Sequence, residues 1–360
     1  MLGEAPPGIA PPPPAAAEHG HSTEEAKQLW ESLFGVGPGS PQEAAAAPEA
    51  ADADAPETAG ETHPYEQRSH WPARCWRQLD EVDLAAEFRL RVRTVRDPPR
   101  WFRSHLGRAY RLALTEWQRC RSAGSWKLFL LIPRLLLRPS GKVGKAGKAA
   151  FLDRARRFEA GEWTSLLHES RGEAPTPSTQ PAAAERPATA RADALVRLGE
   201  VSRARLALTS RGLAPGTQAT LAELRDTTLR PRELSAPLPA EVFGFDPAAP
   251  LQLERATLVA ALRSAGRGSA ADLGGLRYEH LRVLLDDPAA WGIFCDFAAA
   301  FARAEVPAEI GPALGLGRLT AMRKANGRGR GIVTGSVLRR LIARAIAHQY
   351  GKAITLATLP

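Results

Sequence analysis

From about residue 65 onward, apolar residues recur at helical spacing, and the chain reads as a succession of short amphipathic helices. Leu79, Val82, Leu84 and Phe88 mark one helix, and Phe102, Leu106, Tyr110, Leu112, Leu114 and Trp117 mark the next. Asp97-Pro98-Pro99 breaks the pattern between them, because proline fixes φ and offers no backbone donor. The run from Trp126 to Ile132 is almost wholly apolar and leads into Pro133, and Arg154 to Glu162 follows as a polar helix that stops at Gly161. A second helical block opens with Leu195, Val196, Leu198, Val201, Ala204, Leu206 and Leu208, whose spacing predicts a single helix ended by Arg211-Gly212. Thr220 to Arg225 begins another, and Leu258, Val259 and Leu262 belong to one that breaks at Gly266-Arg267-Gly268. Gly274-Gly275 then opens a helix with Leu276, Leu281, Leu284 and Leu285 on its apolar face.

Only near the end does the period shorten. Leu319, Ala321 and Met322 predict a short strand, and Gly331-Ile332-Val333 begins its return. Between them Lys324-Ala325-Asn326-Gly327 is a turn, with Asn-Gly the strongest two-residue hairpin signal available. Val337, Leu338, Leu341, Ile342, Ala345 and Ile346 predict a final helix. The fold class expected is mainly α-helical with a small β-hairpin (α+β).

The first 64 residues depart from this pattern. They are rich in Ala, Pro, Gly and Glu, poor in large apolar residues, and predicted to be a disordered acidic tail. Within it, Ser22-Thr23-Glu24-Glu25 before Leu29, Trp30, Leu33 and Phe34 spells a capped, transient amphipathic helix. Residues 65–170 are read as a helical N-terminal region, 171–190 as a Pro/Ala/Thr/Ser-rich linker, and 191–360 as a second helical region.

Charge sharpens the division. Residues 1–64 carry 11 acidic residues and one basic residue (Lys27), so a chain of net charge +9 carries +19 beyond residue 64. Such a body attracts polyanions, and RNA or DNA is the commonest partner of that kind; an arginine-rich solvated surface is the alternative. Cys75, Cys120 and Cys295 stand far apart with no CxxC pair, and eight scattered histidines form no zinc pattern. The longest apolar run, Leu128 to Leu137, is too short to cross a bilayer, and no signal peptide is read at the N-terminus, so a soluble intracellular protein is expected.

Three segments invite chemistry. In Gly141-Lys142-Val143-Gly144-Lys145-Ala146-Gly147-Lys148 the P-loop spacing fails, and Ala149 follows the last lysine where a magnesium-holding hydroxyl is needed. The run is read as a basic loop, either solvated or touching a nucleic-acid backbone. Asp286-Asp287 suggests paired metal ligands, but the pair follows a helix and precedes Pro288, where acidic residues are ordinary turn formers. His280 is expected on a helix surface. In the third segment, Lys324, Arg328 and Arg330 lie on the hairpin, where Arg supplies bidentate contacts to phosphate and Lys a point charge. Arg339, Arg340 and Arg344 follow off the apolar stripe of the last helix, as a solvated face or as backbone contacts to nucleic acid.

Taken together, Trp126 to Leu137, Gly199 to Arg205, Leu213 to Thr217, Glu279 to Leu285 and Gly317 to Val333 resemble the reverse-transcriptase-like proteins of non-LTR retroelements, in the divergent form abundant in dinoflagellate genomes. The resemblance spans roughly residues 80–350 and implies the entry to the fingers of a right-hand polymerase fold. It implies that Lys324, Arg328 and Arg330 face the phosphates of an incoming nucleotide, and that Arg339, Arg340 and Arg344 track a template backbone. Ala325 stands where the family has proline after the lysine. In the family, palm aspartates that hold Mg2+ lie downstream of the basic helix, and this chain ends at Pro360 before them. The expectation is a fragment of an RNA-directed DNA polymerase that contacts nucleic acid, has no catalytic or metal-binding residues of its own, and is inactive alone. The alternatives are a non-catalytic basic RNA- or DNA-binding protein, and a degenerate fragment without function.

Overall fold

The computed structural model describes residues 69–90, 92–172, 188–209, 213–226, 228, 249–323 and 326–358. The acidic tail with its short helix, most of the 171–190 segment, residues 229–248 and Lys324 lie outside the described residues. Described residues up to 228 and from 250 to 349 belong to one compact body; residues 249 and 350–358 fall to a second unit.

The body is helical apart from one hairpin. Its first elements are α1 (Ala73–Asp80), α2 (Leu84–Arg89), α3 (Arg103–Arg119) and α4 (Ala123–Leu136). The single helix expected across Leu79 to Phe88 is two, because Asp83 accepts from the Ala86 amide and caps a new start. Helix α4 is buried along its whole length from Gly124 to Leu136, and α1, α3, α5 (Gly144–Glu159) and α6 (Trp163–Gly172) surround it. Its apolar stretch from Leu128 to Ile132 has no polar face because it has no solvent face. The helix continues past Pro133 to Leu136.

Trp117 on α3 meets Trp126 on α4 edge-on, and both pack on Phe297 of α12 (Pro288–Ala302). A second aromatic group, Trp71, Trp76, Phe158 and Trp163, closes the other side of the bundle. Residues on both sides of the 171–190 segment therefore share one core, running from Trp71 to Ala345.

The glycine-lysine run is not a free loop. Helix α5 begins at Gly144, inside the run, and the Lys148 ammonium lies 5.5 Å from the centre of the Trp101 ring. The helix expected across Leu195 to Leu208 is also two, α7 (Ala188–Val196) and α8 (Val201–Thr209), packed on each other. Gly199 turns the chain between them with φ +78°, while the Glu200 amide returns to the Leu195 carbonyl. The remaining elements are α9 (Gln218–Arg225), α10 (Arg255–Ser264), α11 (Tyr278–Leu281) running into a 3-10 turn (Arg282–Asp286), α13 (Gly311–Gly315), the strands β1 (Arg318–Arg323) and β2 (Gly329–Thr334), and α14 (Val337–Thr358). Among the described helices none is long and apolar enough to cross a membrane.

His280 reverses its expectation. It is completely buried in α11, and its Nε2–H donates to the Val95 carbonyl at 2.8 Å, tying this turn to the segment that follows α2. Burial pulls the imidazole down to about 4, against the opposing effect of the Val95 hydrogen bond. The unfolded chain takes up this proton near pH 6.5 and the folded chain only near 4. Stability contributed by His280 is therefore present above pH 6.5 and lost as pH falls toward 4, by an amount on the order of 3 kcal/mol. Urea unfolding at pH 7 and pH 4.5 should show that loss, and His280→Gln should flatten the pH dependence.

Candidate nucleic-acid interface

The hairpin is antiparallel, with Arg318 opposite Thr334, Ala321 opposite Gly331 and Arg323 opposite Gly329. Five residues, 324–328, therefore connect the strands, and the Asn-Gly pair is not a two-residue turn. Asn326 Oδ1 accepts from the Arg328 amide, Gly327 has φ +81°, and the Arg323 guanidinium donates to the Gly327 carbonyl at 3.0 Å. The loop is closed from within by its own polar groups. On the outer side of β1, Leu213 makes an isolated bridge to Met322 and the Ala214 amide donates to Ala321 O, so the start of the resembling Leu213 to Thr217 stretch lies against this strand.

Directly opposed residues share a face in an antiparallel pair. One face carries Leu319, Ala321, Arg323, Gly329, Gly331 and Val333, and α9 docks on its tip. Glu223 of α9 accepts from the Gly329 amide at 2.5 Å and from Arg323 Nη1 at 3.2 Å. A Cβ on Gly329 would stand 3.2 Å from the Glu223 carboxyl carbon, and one on Gly331 would stand 3.5 Å from a Leu224 methyl. Gly329 thus makes room for a helix, whereas a Cβ on Gly331 would crowd Leu319 of its own sheet, at 3.2 Å.

The other face carries Arg318, Thr320, Met322, Arg330, Ile332 and Thr334. Arg330 is exposed on it, and Arg328 is exposed in the connecting loop. Lys324, the third residue expected at this place, lies outside the described residues.

Helix α14 follows after Gly335 and Ser336. Its start is held by Asp272, a residue sequence spacing gives no reason to choose. One carboxylate oxygen of Asp272 accepts from the Val337 amide and the other from the Leu276 amide, both at 2.9 Å. Burial raises the Asp272 carboxyl above its ordinary range, and the two amides pull it back. A negative group at a helix N-terminus also complements the exposed amides there.

The three arginines of α14 separate in role. Arg339 is exposed, and its guanidinium lies back over Gly335, where a Cβ would stand 2.5 Å from it. Arg340 is half-buried, donates to the Ala270 carbonyl and sits over the Tyr278 ring at 5.5 Å. Arg344 is exposed and donates to the Ser264 carbonyl at 3.4 Å. Arg340 and Arg344 therefore pin α14 to the end of α10 and the loop behind it.

The Asp286-Asp287 pair does not form an open carboxylate site. Asp287 Oδ1 caps α12 by accepting from the Ala290 amide, and Oδ2 accepts from Arg111 Nε at 2.6 Å. Among the described residues no group of three or more His, Cys, Asp or Glu side chains is placed to hold a metal ion. Comparison with family models, with curated proteins and with solved structures returns no match.

If Gly329 exists to admit α9, a β-branched side chain there should act through Glu223. Gly329→Val is expected to destabilise the protein by about 1–3 kcal/mol in urea unfolding, as overpacked sites do. Arg330→Ala, on the opposite face, should stay within about 0.5 kcal/mol of the parent.

Proposed function

We propose that the protein binds nucleic acid through the Arg330-bearing face and the tip of the hairpin together with the start of α14. In this reading it is the fingers portion of a retroelement reverse-transcriptase-like polymerase, and it contacts nucleic-acid or nucleotide phosphates without performing the chemistry. The supporting observation is the division of cations between the two hairpin faces. Arg323 is occupied by Glu223 in docking α9, whereas Arg330 stands exposed on the other face. Arginine suits this task because its planar fork meets two phosphate oxygens at once.

Arg339 is the member of the α14 trio best placed to extend the surface, because Arg340 and Arg344 already serve backbone carbonyls. The wider field agrees in sign, with +19 carried beyond residue 64. That excess also favours a second reading, a basic RNA- or DNA-binding protein unrelated to polymerases. Competition separates the two. A nucleoside triphosphate should displace bound oligonucleotide from polymerase fingers, and should compete no better than its charge warrants if only a backbone is held.

Binding to single-stranded RNA and DNA, measured against salt, should show a steep decline in affinity with ionic strength. Replacing Lys324, Arg328 and Arg330 together by alanine should weaken binding and reduce the log–log salt slope by about two units or more. Equal binding by parent and triple variant would remove these residues from the interface.

The same reading predicts no primer extension by the purified 360-residue protein with Mg2+. Extension that a chelator abolishes would overturn that part of it.

A further inference from the structure

We infer that Arg330 is a methylation site, presented as an extended Gly-Arg-Gly strand to an enzyme that draws on a sulfonium methyl donor. To methylate a guanidinium, an enzyme has to enclose it and shut out water while one nitrogen meets the methyl group. The chain on either side must then pass over the rim of a narrow pocket. Glycine is the residue that lets a backbone come so close. The chain holds three Gly-Arg-Gly triplets, centred on Arg267, Arg328 and Arg330. The sequence ranks them equally, and the structure does not.

The Arg267 triplet is closed. The Arg267 amide donates to Glu200 at 2.8 Å, its carbonyl accepts from Arg203 at 2.7 Å, and the Gly268 amide donates to Glu279 at 2.6 Å. A Cβ on Gly268 would stand 3.0 Å from a Leu198 methyl, so the turn between α7 and α8 lies against it. The Arg328 triplet is bent: Gly327 has φ +81°, and Asn326 Oδ1 holds the Arg328 amide. Arg330 differs from both. It lies in β2, where the backbone is extended, and its side chain is exposed. Alternate residues of a strand point to opposite faces, and the groups that crowd its two glycines, Glu223 at Gly329 and Leu319 at Gly331, stand on the face away from Arg330. Beyond Gly329, whose amide Glu223 takes, no described strand pairs with the outer edge of β2. An extended edge of that kind is what a reading enzyme can line up against.

In the transfer, one Nη proton of Arg330 passes to a base of the enzyme, and the nitrogen's electron pair attacks the methyl carbon of the donor. The carbon–sulfur bond breaks, its electron pair stays on sulfur, and the donor leaves as a neutral thioether. The methylated guanidinium keeps its positive charge. What it loses is N–H donors, and with them the bidentate grip on phosphate. The modification itself does not depend on the nucleic-acid reading; its effect on binding rests on that reading.

The test incubates the full 360-residue chain with a purified arginine methyltransferase that forms asymmetric dimethylarginine, and with S-adenosylmethionine labelled in its methyl group. Fragment mass spectra should place the label at Arg330 ahead of Arg328, with none at Arg267. Arg330→Lys keeps the charge on an exposed position, should melt with the parent, and should lose most of the label. The inference is overturned if Arg330 stays unlabelled while an unrelated Gly-Arg-Gly peptide in the same tube is methylated. Label at Arg267 or Arg328 in preference to Arg330, or incorporation undiminished in Arg330→Lys, overturns it equally. On the methylated chain, affinity for single-stranded RNA should fall about threefold with the salt slope unchanged, because the charge is kept. Unchanged affinity beside a labelled Arg330 would uphold the methylation and count against the hairpin as the interface.

Discussion

The buried pairing of Arg134 with Glu87 constrains the bundle more tightly than any apolar contact. Helix α4 lies inside a ring of helices, so a guanidinium on it has no route to water. Arg134 Nη1 lies 3.4 Å from Glu87, and Nη2 donates to the Leu90 carbonyl at 2.6 Å, just where α2 ends. Glu87 in turn accepts from Arg171 at the end of α6. One carboxylate therefore fixes the relative placement of three helices. Leaving either charge buried without its partner costs about 3–5 kcal/mol, a large share of the 5–15 kcal/mol that a domain has in total. Lys127 answers the same problem at the other end of α4, donating to the Asp80 carbonyl at 2.5 Å. The apolar side chains of α4 each contribute about 1.5–3 kcal/mol on burial, but they would do so in several rotations of the helix. The two cations accept only one.

From this anchored core the hairpin extends as a lesser element whose two faces have different tasks. Its docking face is set by what glycine omits: without a side chain at Gly329, α9 comes near enough for Glu223 to reach a strand amide. That contact occupies Arg323 and leaves the remaining arginines to the opposite face and the tip. The helix that follows is held by Asp272 at its start and by Arg340 and Arg344 along its side. A run that looks uniformly basic in the sequence therefore separates into arginines that hold elements together, such as Arg323 and Arg340, and exposed ones such as Arg330.

The same electrostatics govern the rest of the body. Beyond residue 64 the chain carries an excess of guanidinium and ammonium over carboxylate. An exposed charge of that kind is screened by water, whereas one taken into the interior, as at Arg134, has to be met by a partner.

The sequence by itself determined the elements whose signals are local. Helical period, the Asp97-Pro98-Pro99 break and the change of period at Leu319 are readable because neighbours along the chain form those contacts. The helical class and the hairpin therefore matched their expectation. Breaks made by one capping bond, at Asp83 and Gly199, were hidden under apolar spacing that continues across them. Tertiary structure decided what distance conceals. Only packing shows that α4 has no outer face, that His280 is fully enclosed beside Val95, that Asp272 caps a helix 65 residues away and that Gly329 receives Glu223. Each of these depends on a partner more than 60 residues distant along the chain, or on several elements closing around one. No periodicity encodes such pairings, because they are chosen by the desolvation cost of leaving a buried polar group alone.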